Sequence, residues 1–245
     1  MAVATWQESP EDHAADYLHP TELAYFRGLE FARRRQAYLL GRIAAKRAIA
    51  RCTSLDDPTA FEVKNGIFGQ PFVVSALCPG IETSISHAAE YGLAVAFPMG
   101  HALGLDIEAC GRTVPDIVRG QMTDSELQAT RPLAADETTA LAVLWTAKEA
   151  LSKILKCGLT VPFPILAIET ASMVNGTVVC RFKNFTQYRS LTWLAGDFAV
   201  SLVTPWKTDV AFDPQFLNRW LVRPHAPPAR RRDTETRAPA GDLAR

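Results

Sequence analysis

Apolar residues recur at helical spacing from Pro20 onward. Leu23, Phe26 and Leu29 fall on one face of "PTELAYFRGLEF", with Pro20 and Thr21 as a start. From Arg33 a second run places Tyr38, Leu39, Ile43 and Ile49 on a stripe, in a stretch rich in Ala and Arg, which favour helices. The spacing predicts helix from Pro20 to Arg51, with Asp56-Asp57-Pro58 as the break. Short strand-like pieces follow, "FEV", "PFVV" and "TSISH", punctuated by Asn65-Gly66, Gly69 and Pro79-Gly80. "YGLAVAF" closes the run as a buried strand.

A second cycle then begins. "GLDIE" (104–108) alternates apolar and acidic residues and reads as a strand. Thr123-Asp124-Ser125-Glu126 reads as a capping box. "ALAVLWTAKEALSKILKCGL" is the strongest helix pattern in the chain, ended by Gly158 and Pro162. Four strands come after it: "LAIET", "TVVCRF", "LTWLAG" and "FAVSLV". Each cycle is a long helix followed by short strands, and "GLAVAF" is laid out like "DFAVSLV". The likeness is loose enough to be coincidence. If it is a duplication, it predicts an α+β fold of two similar α/β halves related by a pseudo-two-fold axis. Each half would be a long helix on a small, mostly antiparallel sheet, with a cleft between them. The boundaries would be 1–102 and 103–223, with "GLDIE" at the seam. Residues 224–245, rich in Pro, Arg and Ala, read as a disordered tail.

Composition adds little bias. The chain has 245 residues, 48% hydrophobic and 21% charged, with 26 basic and 26 acidic residues balancing to +0. That balance argues against nucleic acid and anionic membrane as partners. The five cysteines are scattered without C-x-x-C spacing, which fits a reduced interior. The acidic N-terminus does not read as a signal peptide, and no window has membrane-spanning length without charge. The expectation is a cytoplasmic protein.

The chemistry begins with Asp106 and Glu108. With Leu105 and Ile107 facing a core, both acids face the other way, roughly 7 Å apart along the strand. A solvated strand end and a divalent-cation site are both open readings. On the long helix Trp145, Glu149 and Lys153 share a face; a surface pair of Glu149 with Lys153 accounts for them alone. A third carboxylate pointing at the other two would suit Mg²⁺, which takes few protein ligands plus phosphate. "SISH" places Ser86 and His87 at a strand end, serviceable as a phosphate grip or merely structural. "NGIFGQPF" is a glycine-punctuated turn without the spacing of a P-loop. Arg33, Arg34, Arg35, Arg42, Lys46 and Arg47 cluster on the first long helix, as a solvated face or an anion patch.

In order, the G-x-P-F turn, "SISH", "GLDIE" and "WTAKEALSK" resemble the phosphopantetheinyl transferases, in the larger two-half type of the surfactin-synthetase-activating enzyme. The resemblance covers roughly Thr21 to Pro205. It implies transfer of the phosphopantetheine arm of coenzyme A to a serine of an apo acyl or peptidyl carrier protein, releasing adenosine 3′,5′-bisphosphate. Fatty acid, polyketide and non-ribosomal peptide carriers are all open. It implies Mg²⁺, with Mn²⁺ as a substitute, on Asp106, Glu108 and Glu149. Glu149 also matches the proton acceptor and Lys153 the residue facing the leaving group. For coenzyme binding it implies Arg35, Arg42, the turn with Lys64, Asn65, Gln70 and Pro71, and Ser86 with His87. Trp145 would pack behind the metal. The usual G-K-P is here Gly69-Gln70-Pro71, one positive charge fewer. The implied assembly is a monomer whose halves form a pseudo-dimer.

Two other readings stay open: a coenzyme- or carrier-binding protein that does not transfer, and a different Mg²⁺-dependent phosphoryl transferase. For the carrier, Val114, Ile117, Val118 and Met122 form a short apolar stripe flanked by Arg112 and Arg119, suited to an acidic partner.

Overall fold

The computed structural model describes residues 1–6, 11–111 and 115–222. The strands are β1 (Ala2–Thr5), β2 (Glu62–Asn65), β3 (Pro71–Val74), β4 (Ile81–Ala88), β5 (Tyr91–Pro98), β6 (Gly104–Ala109), β7 (Ile168–Val174), β8 (Thr177–Phe182), β9 (Tyr188–Ala195) and β10 (Phe198–Pro205). The helices are α1 (Ala14–Tyr17), α2 (Pro20–Arg27), α3 (Ala32–Thr53), α4 (Pro115–Arg119), α5 (Asp124–Thr130), α6 (Glu137–Leu155) and α7 (Gln215–Leu221). The fold mixes helix and antiparallel sheet. One sheet runs β1-β5-β4, a second runs β6-β10-β9-β8-β7, and β2-β3 is a separate hairpin.

The predicted helix from Pro20 to Arg51 is interrupted. Gly28 ends α2, and the chain is extended at Phe31 before α3 starts. Glycine in a helix interior costs about 1 kcal/mol relative to alanine, so a break falls there readily. The capping box at Thr123 is present: Thr123 Oγ1 accepts the Glu126 N–H and Glu126 Oε2 accepts the Thr123 N–H. The long helix ends at Leu155, with Lys156 in the left-handed conformation at φ 54°, two residues before Gly158. β1 has no counterpart in the pattern reading, because four residues carry too little alternation to mark a strand.

Alternation along the central strands builds the core. Leu93 and Val95 of β5 join Leu105 and Ile107 of β6 and Val200 and Leu202 of β10 in one cluster shared by the two sheets. Ala94 faces the other way, onto α3, and Ala199 and Val203 onto the α6 side. Burying a Leu or Ile side chain contributes about 1.5–3 kcal/mol, so this shared cluster holds the sheets together.

Each long helix also buries one lysine. Lys46 of α3 meets Glu22 of α2 at 2.8 Å, and Lys148 of α6 meets Glu126 of α5 at 2.7 Å. Both carboxylates occupy the third position of a capped helix and accept a strand backbone N–H, from Val63 and Ile168 respectively. Buried charges persist only when paired and hydrogen-bonded, and both sets meet that condition.

Candidate functional site

β6 supplies two carboxylates and α6 the third. Leu105 and Ile107 are fully buried in the shared core, which turns Asp106 and Glu108 toward α6. Gly104 permits the close approach: a Cβ there would stand 1.9 Å from the carbonyl oxygen of Ala150. Strand and helix are thereby near enough for Lys153 to reach across.

Lys153 does not pair with Glu149, as helical spacing alone would have it. Its Nζ lies 2.8 Å from Asp106 Oδ1 and also donates to the carbonyls of Leu105 (2.8 Å) and Ile85 (3.0 Å). An ammonium has three donors, and all three are taken. Ser86 Oγ donates to the same Asp106 oxygen at 2.7 Å. The solvated strand end is excluded, since Asp106 is 4% exposed. Its second oxygen, Oδ2, is buried without a hydrogen-bond partner.

The neighbouring acids carry the electrostatic cost. Burial, then the charges of Asp106 and Glu149, push the Glu108 carboxyl up to about 7, against a pull down from Lys153 and a hydrogen bond from Trp145. Burial and Asp106 push Glu149 up to about 7 as well. Three carboxylates thus crowd one ammonium that cannot satisfy them. Among the described residues no three or more His, Cys, Asp or Glu side chains stand close enough together to hold a metal ion by themselves. Mg²⁺ does not need such a group, because it binds through one or two carboxylates and completes its octahedron with water and phosphate. A partnerless carboxylate oxygen beside two acids resisting ionisation is a donor set that fits such an ion. Trp145 stacks on Phe163, ring centroids 4.6 Å apart.

Two cavities flank this cluster. One, of about 770 Å³, is lined by Glu108, His87, Arg33 and Gln36. Burial, then Lys153, push the His87 imidazole below its ordinary range, so it is neutral at neutral pH. The other, of about 450 Å³, runs between Glu149 and Lys153 and the turn at Gln70 and Pro71. The remaining residues expected at a coenzyme site are largely engaged within the fold. Arg42 is buried, donates to Asn65 Oδ1 at 2.9 Å, pairs with Glu22 and lies over the Tyr38 ring. Arg35 pairs with Glu11 and lies over Phe26, and Lys64 stands 3.3 Å from Glu62. Gln70 folds back, its Oε1 accepting the Phe68 N–H.

Arg112 and Val114 of the expected docking stripe lie outside the described residues. Val118 is buried, Ile117 is 64% exposed and Arg119 pairs with Glu137. Arg33, Gln36, Glu82, His101 and Lys156 line the cavities without having been marked as site residues; only Arg33 had a sequence signal, as part of a basic cluster.

Comparison with curated proteins returns no match. Among solved structures, a holo-(acyl-carrier-protein) synthase from Bacillus anthracis str. Ames, in complex with CoA (3′,5′-ADP), matches at 21% identity and a TM-score of 0.35. The match covers 40% of this chain and 92% of that one. The family model of the 4′-phosphopantetheinyl transferase superfamily matches residues 102–203, the segment that carries β6, α6 and β10. Over that segment the chain is similar to the 4′-phosphopantetheinyl transferase superfamily.

Proposed function

We propose that the chain transfers the phosphopantetheine arm of coenzyme A to a serine hydroxyl of an apo carrier protein, with Mg²⁺ required and adenosine 3′,5′-bisphosphate released. The observation that carries the reading is that Asp106, whose Oδ2 is buried without a hydrogen-bond partner, repels both Glu108 and Glu149 strongly enough to help raise their carboxyls. These three side chains would hold the cation. When bound, the ion neutralises charge on the diphosphate oxygens and orients them.

The chain's own residues do the rest. Lys153 and Ser86 fix the rotamer of Asp106, and because Lys153 also grips Ile85 of β4 it ties the two sheets together at the site. The donors of Lys153 are all engaged, so it acts on the reaction through Asp106. Glu149 accepts the serine proton, directly or through one water, as the serine oxygen forms its bond to phosphorus. The bond from phosphorus to the bridging oxygen breaks, and that oxygen leaves on the adenosine bisphosphate. Neutral His87 and Arg33 line the cavity beside Glu108 and can donate to phosphate oxygens there. Arg35, Lys64, Asn65 and Pro71 belong to the same coenzyme surface in this reading.

The reading extends to architecture. Residues 1–102 and 103–223 are two halves related by a pseudo-two-fold axis, supported by the paired lysine–glutamate clusters and by the matching β4–β5 and β9–β10 hairpins. The protein works as a monomer in the cytoplasm. No helix among the described residues is long and apolar enough to cross a membrane.

Incubation of an apo carrier protein with the chain, coenzyme A and Mg²⁺ tests the function. The expected result is a mass gain of one phosphopantetheine arm, mapped to a single serine. A carrier that stays unmodified while the chain binds coenzyme A would mean a binding protein instead.

A further inference from the structure

Beside Asp106, the side of the sheet that faces α6 carries a polar row. Ser201 of β10 is the cross-strand partner of Asp106, and its neighbours Ala199 and Val203 pack toward α6. Four hydroxyls make up the row: Ser190 Oγ, Thr192 Oγ1, Ser201 Oγ and Thr146 Oγ1 follow one another at 3.2, 2.7 and 2.7 Å. None of the four residues is more than 1% exposed. Burying a hydroxyl costs free energy unless it is hydrogen-bonded, and here each one is.

The row has a direction. Thr146 Oγ1 donates to the Ala142 carbonyl, one turn back along α6, at 2.8 Å. A hydroxyl has one hydrogen to give, so the contact between Thr146 and Ser201 takes its hydrogen from Ser201. The next contact takes its hydrogen from Thr192, and the last from Ser190. Run this way, every hydrogen in the row has an acceptor. In the opposite sense the Ala142 contact goes unmade and the Ser190 hydrogen has no acceptor in the row.

The consequence falls on Asp106. Directly opposed residues hold their Cβ atoms about 4.5–5.5 Å apart, near enough for a serine hydroxyl to reach a carboxylate. Ser201 instead gives its hydrogen to Thr146, and Asp106 Oδ2 is left buried without a partner while Oδ1 accepts from both Ser86 and Lys153. We propose that Thr146 is a positioning residue for the cation: it draws the Ser201 hydroxyl away from Asp106 and so keeps Oδ2 free to accept the ion. The inference rests on the proposed role of Asp106 as a ligand. Without the Thr146 oxygen, Ser201 turns to Oδ2, and a cation then has to displace a hydrogen bond to a charged group.

Titration of the full chain with Mn²⁺, the free ion followed by its electron paramagnetic resonance, reads this without turnover. Thr146→Val keeps the side-chain shape and removes the oxygen. It should weaken Mn²⁺ binding about tenfold, the order expected when a hydrogen bond to a charged group must be broken. Thr146→Ala should do the same, and Thr146→Ser should bind as wild type does. Adding Ser201→Ala to Thr146→Val should restore wild-type binding, a rescue that damage to packing would not show. Thr192→Val removes an equally buried hydroxyl but leaves the Ser201 hydrogen on Thr146, so Mn²⁺ binding should hold. Equal affinity in wild type and Thr146→Val, or a loss that Ser201→Ala does not restore, overturns the role of Thr146 while the proposed function stands. Failure of wild type to bind Mn²⁺, with or without coenzyme A, overturns both.

Discussion

α3 with its sheet and α6 with its sheet follow one plan and end in different chemistry. β4 pairs with β5 from Ile81↔Pro98 to Ala88↔Tyr91, and β9 pairs with β10 from Tyr188↔Pro205 to Ala195↔Phe198. On the far side, β1 sets Ala2 against Ala94, the fourth residue of β5, while β6 sets Asp106 against Ser201, the fourth of β10. Ala4 and Glu108 likewise oppose the second residues, Gly92 and Ala199. The helices keep step. Arg51 donates to the Met1 carbonyl, as Lys153 does to that of Leu105. Where one region carries Ala2 and Ala4 beside Arg47 and Arg51, the other carries Asp106 and Glu108 beside Glu149 and Lys153. The scaffold fixes where a helix side chain meets the first strand. Acids in place of alanines turn that meeting point into a crowded carboxylate cluster, the cation site of the proposed function.

The shared part of the plan predicts the largest effect. Lys148→Met leaves Glu126 buried without a cation, whereas Lys46→Met leaves Glu22 with Arg42 alone at 3.5 Å. Lys148→Met should cost about 3–5 kcal/mol in urea denaturation, and Lys46→Met a smaller but clear loss, because Arg42 stays beside Glu22. A loss at one site without the other would break the correspondence.

The divergent part predicts an effect on activity. Asp106→Ala makes β6 like β1 and should lower transfer by about a hundred- to a thousandfold, comparable to removing one well-placed group that stabilises transition-state charge. The melting temperature should move little, because the change also relieves repulsion on Glu108 and Glu149. Near-normal turnover in saturating Mg²⁺ would mean Asp106 holds no metal.

A smaller effect follows from charge crowding in the metal-free chain. Glu108 and Glu149 hold their protons up to about 7 when folded and to the ordinary carboxylate range when unfolded. The folded state thus binds more protons between those limits, and stability falls as pH rises from about 4.5 through 7. His87, pushed low, works the other way up to its ordinary value. The decline is therefore read against a Glu108→Gln, Glu149→Gln chain, in which it should disappear. Identical urea midpoints in the two chains across this range would contradict the crowding.

Much of this was legible in local pattern. Alternation placed Leu105 and Ile107 inside and both acids on the opposite face, and the capping box at Thr123 announced α5. Partner choice was not legible. Helical spacing offers Glu149 to Lys153, yet the nearer approach of β6 past Gly104 gives it Asp106. Arg42 sits in a basic cluster that reads as solvated or anion-binding, and only the folding of α2 against β2 brings Glu22 and Asn65 to it. Lys156 follows the last periodic residue of its helix, so its direction depends on a backbone conformation that sequence pattern does not specify.

The central claim is that the carboxylate cluster works only with a cation. The direct measurement is carrier modification by wild type with coenzyme A, first in excess chelator and then after Mg²⁺ or Mn²⁺ is added back. The predicted result is no mass gain with chelator and full gain of one phosphopantetheine arm on add-back. Full modification in excess chelator would contradict it.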